Sequence, residues 1–180
     1  MLKEGFFLVY NALRLNKKEF VILNYYRYIE KDNDSTFYLS LLFYKSNNYL
    51  LINRIKIGDE APLYDFNSEI TNENMCLINN DLLCVGIKKL GIYLIKISTH
   101  EIITSIEDNY DFFSIKPFLD KYIIISQYFG DSFIIFKHEK EHLEKVEIIE
   151  LEYDILQILD NKIILTYNKD VINLWKLNKK

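Results

Sequence analysis

Cysteine occurs twice, proline twice, histidine three times and glycine five times in 180 residues, and each shortage closes a class of explanation. Two cysteines, Cys76 and Cys84, are too few for a disulfide framework or a structural metal site, which needs four ligands. They read as buried thiols of a reducing compartment, on neighbouring strands close enough to approach one another. So few prolines and glycines, beside abundant Tyr, Phe and Ile, favour strands over helices. No apolar run approaches the ~18 residues of a membrane-crossing helix, so membrane insertion is not expected. The opening MLKEGFFLVYNALRL is interrupted by Asn11 and Arg14 and has no small-residue cleavage site, which argues against a secretory signal. Positive charge is also short: 22 Lys and Arg against 26 Asp and Glu leave a net charge of -4. A nucleic-acid partner, which demands clustered cations, is therefore not expected. The lysines at 176, 179 and 180 are too short a tail to alter that. Glycine-rich phosphate loops, nucleophile elbows and kinase signatures are all missing, and no cofactor is expected.

What the chain has in quantity is aromatic and branched side chains. Apolar residues make up 49% and aromatics 15%, with 14 Tyr and 12 Phe. Such side chains suit a pleated surface and fill a sizeable core. The segment VINLWKL alternates, with Val171, Asn173, Trp175 and Leu177 on one face and Ile172, Leu174 and Lys176 on the other. Helical periodicity is weak, and the fold class expected is all-β.

The strands recur. Asp81, Asp120 and Asp160 mark a register at intervals of 39 and 40 residues. Each is followed by an apolar strand (Leu82–Ile87, Tyr122–Gln127, Lys162–Tyr167), a short turn and a second strand (Ile92–Ile97, Ser132–Lys137, Val171–Leu177). In the first two copies a third strand follows (Glu101–Ile106, Lys145–Ile149). A further strand precedes each copy (Asn74–Ile78, Phe112–Phe118, Tyr153–Leu159). Four short antiparallel strands every ~40 residues is the unit of a β-propeller blade. The expected organisation is one domain, 1–180, of about four four-stranded blades. It comprises an irregular first blade over 12–57, a connecting loop over 58–73, and repeats over 74–110, 111–150 and 151–180. Within the first blade, strands are expected near Glu19–Arg27, Phe37–Lys45 and Tyr49–Ile57.

On these repeats, and on the closing INLWKL, the chain resembles the WD-repeat β-propeller family. Ile95-Lys96 and Phe136-Lys137 stand where Trp175-Lys176 stands in the last copy. The match is divergent: Lys replaces Asp after the Trp position, no Gly-His pair opens a repeat, and His100 reads as a turn residue. The resemblance implies a non-catalytic protein-interaction scaffold, and the free thiols and missing signal place it in the cytoplasm or nucleus. It also implies that an N-terminal strand, GFFLVY (Gly5–Tyr10), closes onto the last blade. About four blades is fewer than the family's usual number, near the upper end of the range of about 4–8. The open edges would be closed by another copy or a partner, by a four-bladed ring or by blades of a longer chain, and the last is the reading preferred.

Candidate site residues come from two places. The turns joining second and third blade strands hold Lys88-Lys89, Tyr128-Phe129 and Asn168-Lys169, a rim where an aromatic pair beside lysines could anchor a protein. The alternative is that Tyr128 and Phe129 pack on a neighbouring blade. The second place is His138-Glu139-Lys140-Glu141-His142, which matches the zinc-hydrolase pattern HExxH. That chemistry requires a helix, to set both histidines on one face with Glu139 as general base. Flanking SFIIFK and KVEII read as strands, so a strand-to-strand loop without metal is expected. The acidic run Glu139–Asp154 reads as a solvated edge, with docking of a basic partner as the alternative. A phosphoinositide-binding membrane-surface propeller is a further alternative. The paired-arginine motif is missing, and Lys88-Lys89 is the only basic pair in a propeller turn.

Overall fold

In a computed structural model, the described residues are 5–29, 35–57, 74–87, 90–107, 112–119, 121–127, 132–140, 142–150, 154–159, 163–168 and 171–176. Among them every regular element is a strand. The first sheet is formed by β1 (Gly5–Arg14), β2 (Glu19–Ile29), β3 (Ser35–Lys45) and β4 (Leu51–Ile57). The second holds β5 (Met75–Leu77), β6 (Leu82–Ile87), β7 (Gly91–Lys96) and β8 (Glu101–Ile106). The third holds β9 (Phe112–Phe118), β10 (Tyr122–Gln127), β11 (Ser132–Glu139) and β12 (His142–Glu150). A three-stranded sheet follows, made of β13 (Asp154–Leu159), β14 (Ile163–Asn168) and β15 (Val171–Lys176). In each sheet spatial order follows chain order, as in a blade. Contacts divide the chain into two compact units, Met1–Asn72 with Lys96–Glu101, and Glu73–Ile95 with Ile102–Lys180.

One expectation is corrected. Gly5–Tyr10 does not pair with the last sheet; it is part of β1, the outer neighbour of β2, with Gly5 opposite Tyr28 and Arg14 opposite Phe20. The reason is local. Asn16 Oδ1 accepts the Lys18 and Glu19 amides at 2.8 and 3.0 Å, fixing a tight turn that returns the chain directly onto β1. Closing so short a loop costs far less entropy than a long-range pairing.

In the first unit, Val21, Leu23, Leu39, Leu41, Phe43 and Ile57 are buried. The register places Val21 opposite Phe43 and Leu23 opposite Leu41, so alternate positions give one apolar face. In the second unit the core runs between the second and third sheets. Cys76, Cys84 and Ile92 meet Ile115, Ile123, Ile125, Ile134, Phe136 and Leu143. The opposite face of the third sheet carries Phe118, Ile124 and Phe133. Because β10 is buried on both sides, it reads as the apolar run YIII rather than as an alternation. Pro117 lies opposite Ile123 on β9, the edge strand of its sheet, the place to which proline within sheets is mostly confined.

Candidate functional site

The second-to-third-strand turns occupy equivalent places in three sheets, between β6 and β7, β10 and β11, and β14 and β15. Asn168 ends β14 opposite Val171. Lys88, Lys89, Tyr128, Phe129 and Lys169 lie outside the described residues. In the strands that follow these turns, Phe136 stands opposite Ile123 and Trp175 opposite Ile164. These are the equivalent third-strand positions marked by the sequence.

The HEKEH segment forms a hairpin. β11 ends at Glu139, β12 begins at His142, and Lys140 adopts the left-handed φ of 54° that a tight turn requires. Glu139 pairs with His142 and His138 with Leu143, so the two histidines are in adjacent register positions on opposite faces of the sheet. His138 is buried, its backbone N–H donating to the Lys121 carbonyl at 2.8 Å, whereas His142 is exposed. The helical face on which the zinc reading depends does not form. Glu139 is also poorly suited as a base: the Lys137 ammonium 2.9 Å away, with Lys121 at 3.7 Å, holds its carboxyl below the ordinary value. Among the described residues no three His, Cys, Asp or Glu side chains gather as metal ligands would.

Cys76 stands directly opposite Cys84 in the β5–β6 pair, and both are free, buried thiols. A hydrogen bond with Cys76, and then burial, push the Cys84 thiol well above its ordinary pKa. The thiolate is the reactive form. In native protein at neutral pH, iodoacetamide should therefore label Cys84 roughly a hundredfold or more slowly than in urea, because labelling must wait for local opening. Mass spectrometry of timed samples reads this; equal rates would show that the β5–β6 pair is open.

His100 does more than turn the chain. It takes a φ of 53° at the end of the β7–β8 turn, a region in which histidine is enriched. Its ring lies 4.4 Å from that of buried Phe43, centroid to centroid. Its carbonyl accepts a hydrogen bond from Asn53 Nδ2 at 3.3 Å, and its Nε2 is 3.7 Å from a Glu19 carboxylate oxygen. The turn character was readable from STHEI; the contact with Phe43, 57 residues earlier in the chain, had no local signal.

No protein-family model and no curated protein matches the sequence. Solved structures do match in shape. Hsv2 of Kluyveromyces lactis, a WD40 β-propeller, superposes on 94% of this chain with a TM-score of 0.53 and 13% identity, using 46% of its own length. A form of that protein with loop 6CD replaced by a Gly-Ser linker matches at a TM-score of 0.53 and 14% identity, over 94% of this chain and 48% of that one. A chain in the crystal structure of the mitotic checkpoint complex covers 91% of this one at a TM-score of 0.53 and 12% identity, using 62% of its length. The chain thus spans about half the length of the Hsv2 structures it matches. Likeness at such identities concerns the fold, and the fold is that of β-propeller blades.

Proposed function

We propose that the chain is a non-catalytic protein-interaction scaffold acting in the cytoplasm or nucleus. The observation that supports this reading is the repetition of antiparallel sheets in which the strands follow chain order. Side chains on their turns need only be held in place by the sheets, which is what binding by a few anchors demands. The similar folds agree with it, one of them belonging to a multiprotein complex by its name. Lys88, Lys89, Tyr128, Phe129, Asn168 and Lys169 form the proposed partner-binding rim, with the aromatic pair as its anchors.

The test is the double variant Tyr128→Ala with Phe129→Ala. Affinity capture with quantitative mass spectrometry should show a set of proteins held by the wild type and reduced at least about tenfold by the variant, given about 2 kcal/mol per anchor. Thermal unfolding should be unchanged. A fall in Tm would mean that the pair packs inside the fold, and unchanged capture would remove it from the interface.

A further inference from the structure

Two exposed surfaces of this chain are chemically complementary. The first lies at one end of the first sheet, where Tyr49, Leu50, Leu51 and Ile52 are consecutive and 74, 55, 47 and 36% exposed. A run of four exposed apolar residues is unusual on a protein surface unless something covers it. This one is held in shape. Tyr49 N–H donates to the Lys45 carbonyl at 3.0 Å, and Lys45 N–H to that of Leu50 at 2.9 Å. Ser46 N–H donates to the Lys18 carbonyl at 2.6 Å, joining this turn to the β1–β2 turn. Phe20 stacks on Tyr44 and meets Tyr49 edge-on at 6.2 Å. Around the apolar run stand exposed Arg14, Lys17, Lys18 and Lys45. The described residues of this sheet hold seven Lys and Arg against one carboxylate, Glu19, in a chain of net charge -4.

The second surface is β12, the outermost strand of the third sheet. Glu144 to Ile148 are all exposed, with Val146 at 51% and Ile148 at 49%. Glu144 lies opposite Lys137 and Glu147 opposite Ile135, which puts both carboxylates on one face, while Val146 is the extra residue of a bulge.

We propose that the acidic strand β12 of a second copy of this chain docks on the basic, apolar end of the first sheet. Val146 covers the Tyr49–Ile52 run, and Glu144 and Glu147 face Arg14, Lys17, Lys18 and Lys45. Neither surface suits a copy of itself, because like charges would be brought together. Each contact joins one surface of a copy to the other surface of a second copy, so average mass rises with concentration. Both patches are small, so association is weak, and its charged part fades once salt shortens the screening length to a few Å.

Sedimentation velocity on the 180-residue chain tests this. Average mass should climb between about 5 and about 500 μM at low salt, and the climb should flatten in ~1 M NaCl. The triple variant Lys17→Glu, Lys18→Glu, Lys45→Glu, and the double variant Glu144→Lys, Glu147→Lys, should each weaken association at least about tenfold, the equivalent of one lost charge-paired contact. Mixing the two should restore it, since each variant keeps the surface the other has lost. Leu50→Ser should weaken association without touching a charge, and circular dichroism should show every variant folded. A monomeric wild type at all concentrations overturns the proposal, as does association indifferent to both charge variants or a mixture that stays monomeric. Retention of a monomeric wild type on phosphatidylserine-containing vesicles would assign the basic end to a membrane, and would overturn it too.

Discussion

Replacing Gly91 with alanine should unfold most of the second sheet. Gly91 opens β7 with a φ of +117°. Other residues with positive φ, Tyr49, His100, Leu119 and Lys140, lie between 45° and 55°, the left-handed basin that side chains can enter. At +117° a Cβ is strained whatever the surrounding space. Here space is missing as well: a Cβ at this position would overlap the carbonyl of Ile106 and come within 2.9 Å of the Glu107 Cα. These are backbone atoms at the end of β8, the strand hydrogen-bonded beside β7, and they can yield only if that pairing shifts. Strain and overlap together should cost about 3–5 kcal/mol, the scale at which single substitutions unfold marginal proteins. Urea unfolding followed by circular dichroism reads the loss directly. A midpoint within error of the wild type would show that the β7–β8 pair does not hold Gly91 against Ile106.

Phe136→Ala should come next in severity. Phe136 is fully buried in the cluster that joins the second and third sheets, opposite Ile123 on β10. Truncation removes transfer energy and leaves a cavity lined by rigid strands from two sheets, which relax little. The expected cost is about 3–5 kcal/mol, and at roughly 2–4 °C per kcal/mol for a chain of this size Tm should fall by about 10 °C. Phe136→Leu keeps most of the volume and should cost about a third as much. If both substitutions destabilised equally, side-chain volume would not be what Phe136 supplies. The equivalent third-strand place is Trp175 in the last sheet, opposite Ile164.

Much of the fold was legible because strands and short turns are written locally. Leu82–Ile87, Glu101–Ile106, Phe112–Phe118 and Tyr122–Gln127 are strands with the bounds that the residues themselves suggest. Elsewhere the ends differ by a few residues; β12, for instance, begins at His142 rather than Lys145 because the HEKEH turn is tight. The repeat interval added chain order within each sheet, since neighbouring strands joined by two- to five-residue connections have little choice but to pair. The facing cysteines followed from the same reasoning. Asn79 lies between the two strands that carry them, and its Oδ1 accepts the Asp81 amide at 2.8 Å in a short turn, bringing Cys76 opposite Cys84. Of the candidate rim, only Asn168 lies among the described residues, at the end of β14.

By itself, then, the sequence determined an all-β chain, its 39- and 40-residue repeat and the strand order within sheets. All of these depend on side-chain alternation and on loops short enough to close cheaply. Tertiary structure alone decided the rest. It set His100 against Phe43. It also left Tyr49–Ile52 and Val146 uncovered while burying the equally apolar β10. The reason is common to both. Which of several competent partners a side chain meets depends on the relative energies of distant packings, and no short window of sequence contains both halves of such a contact.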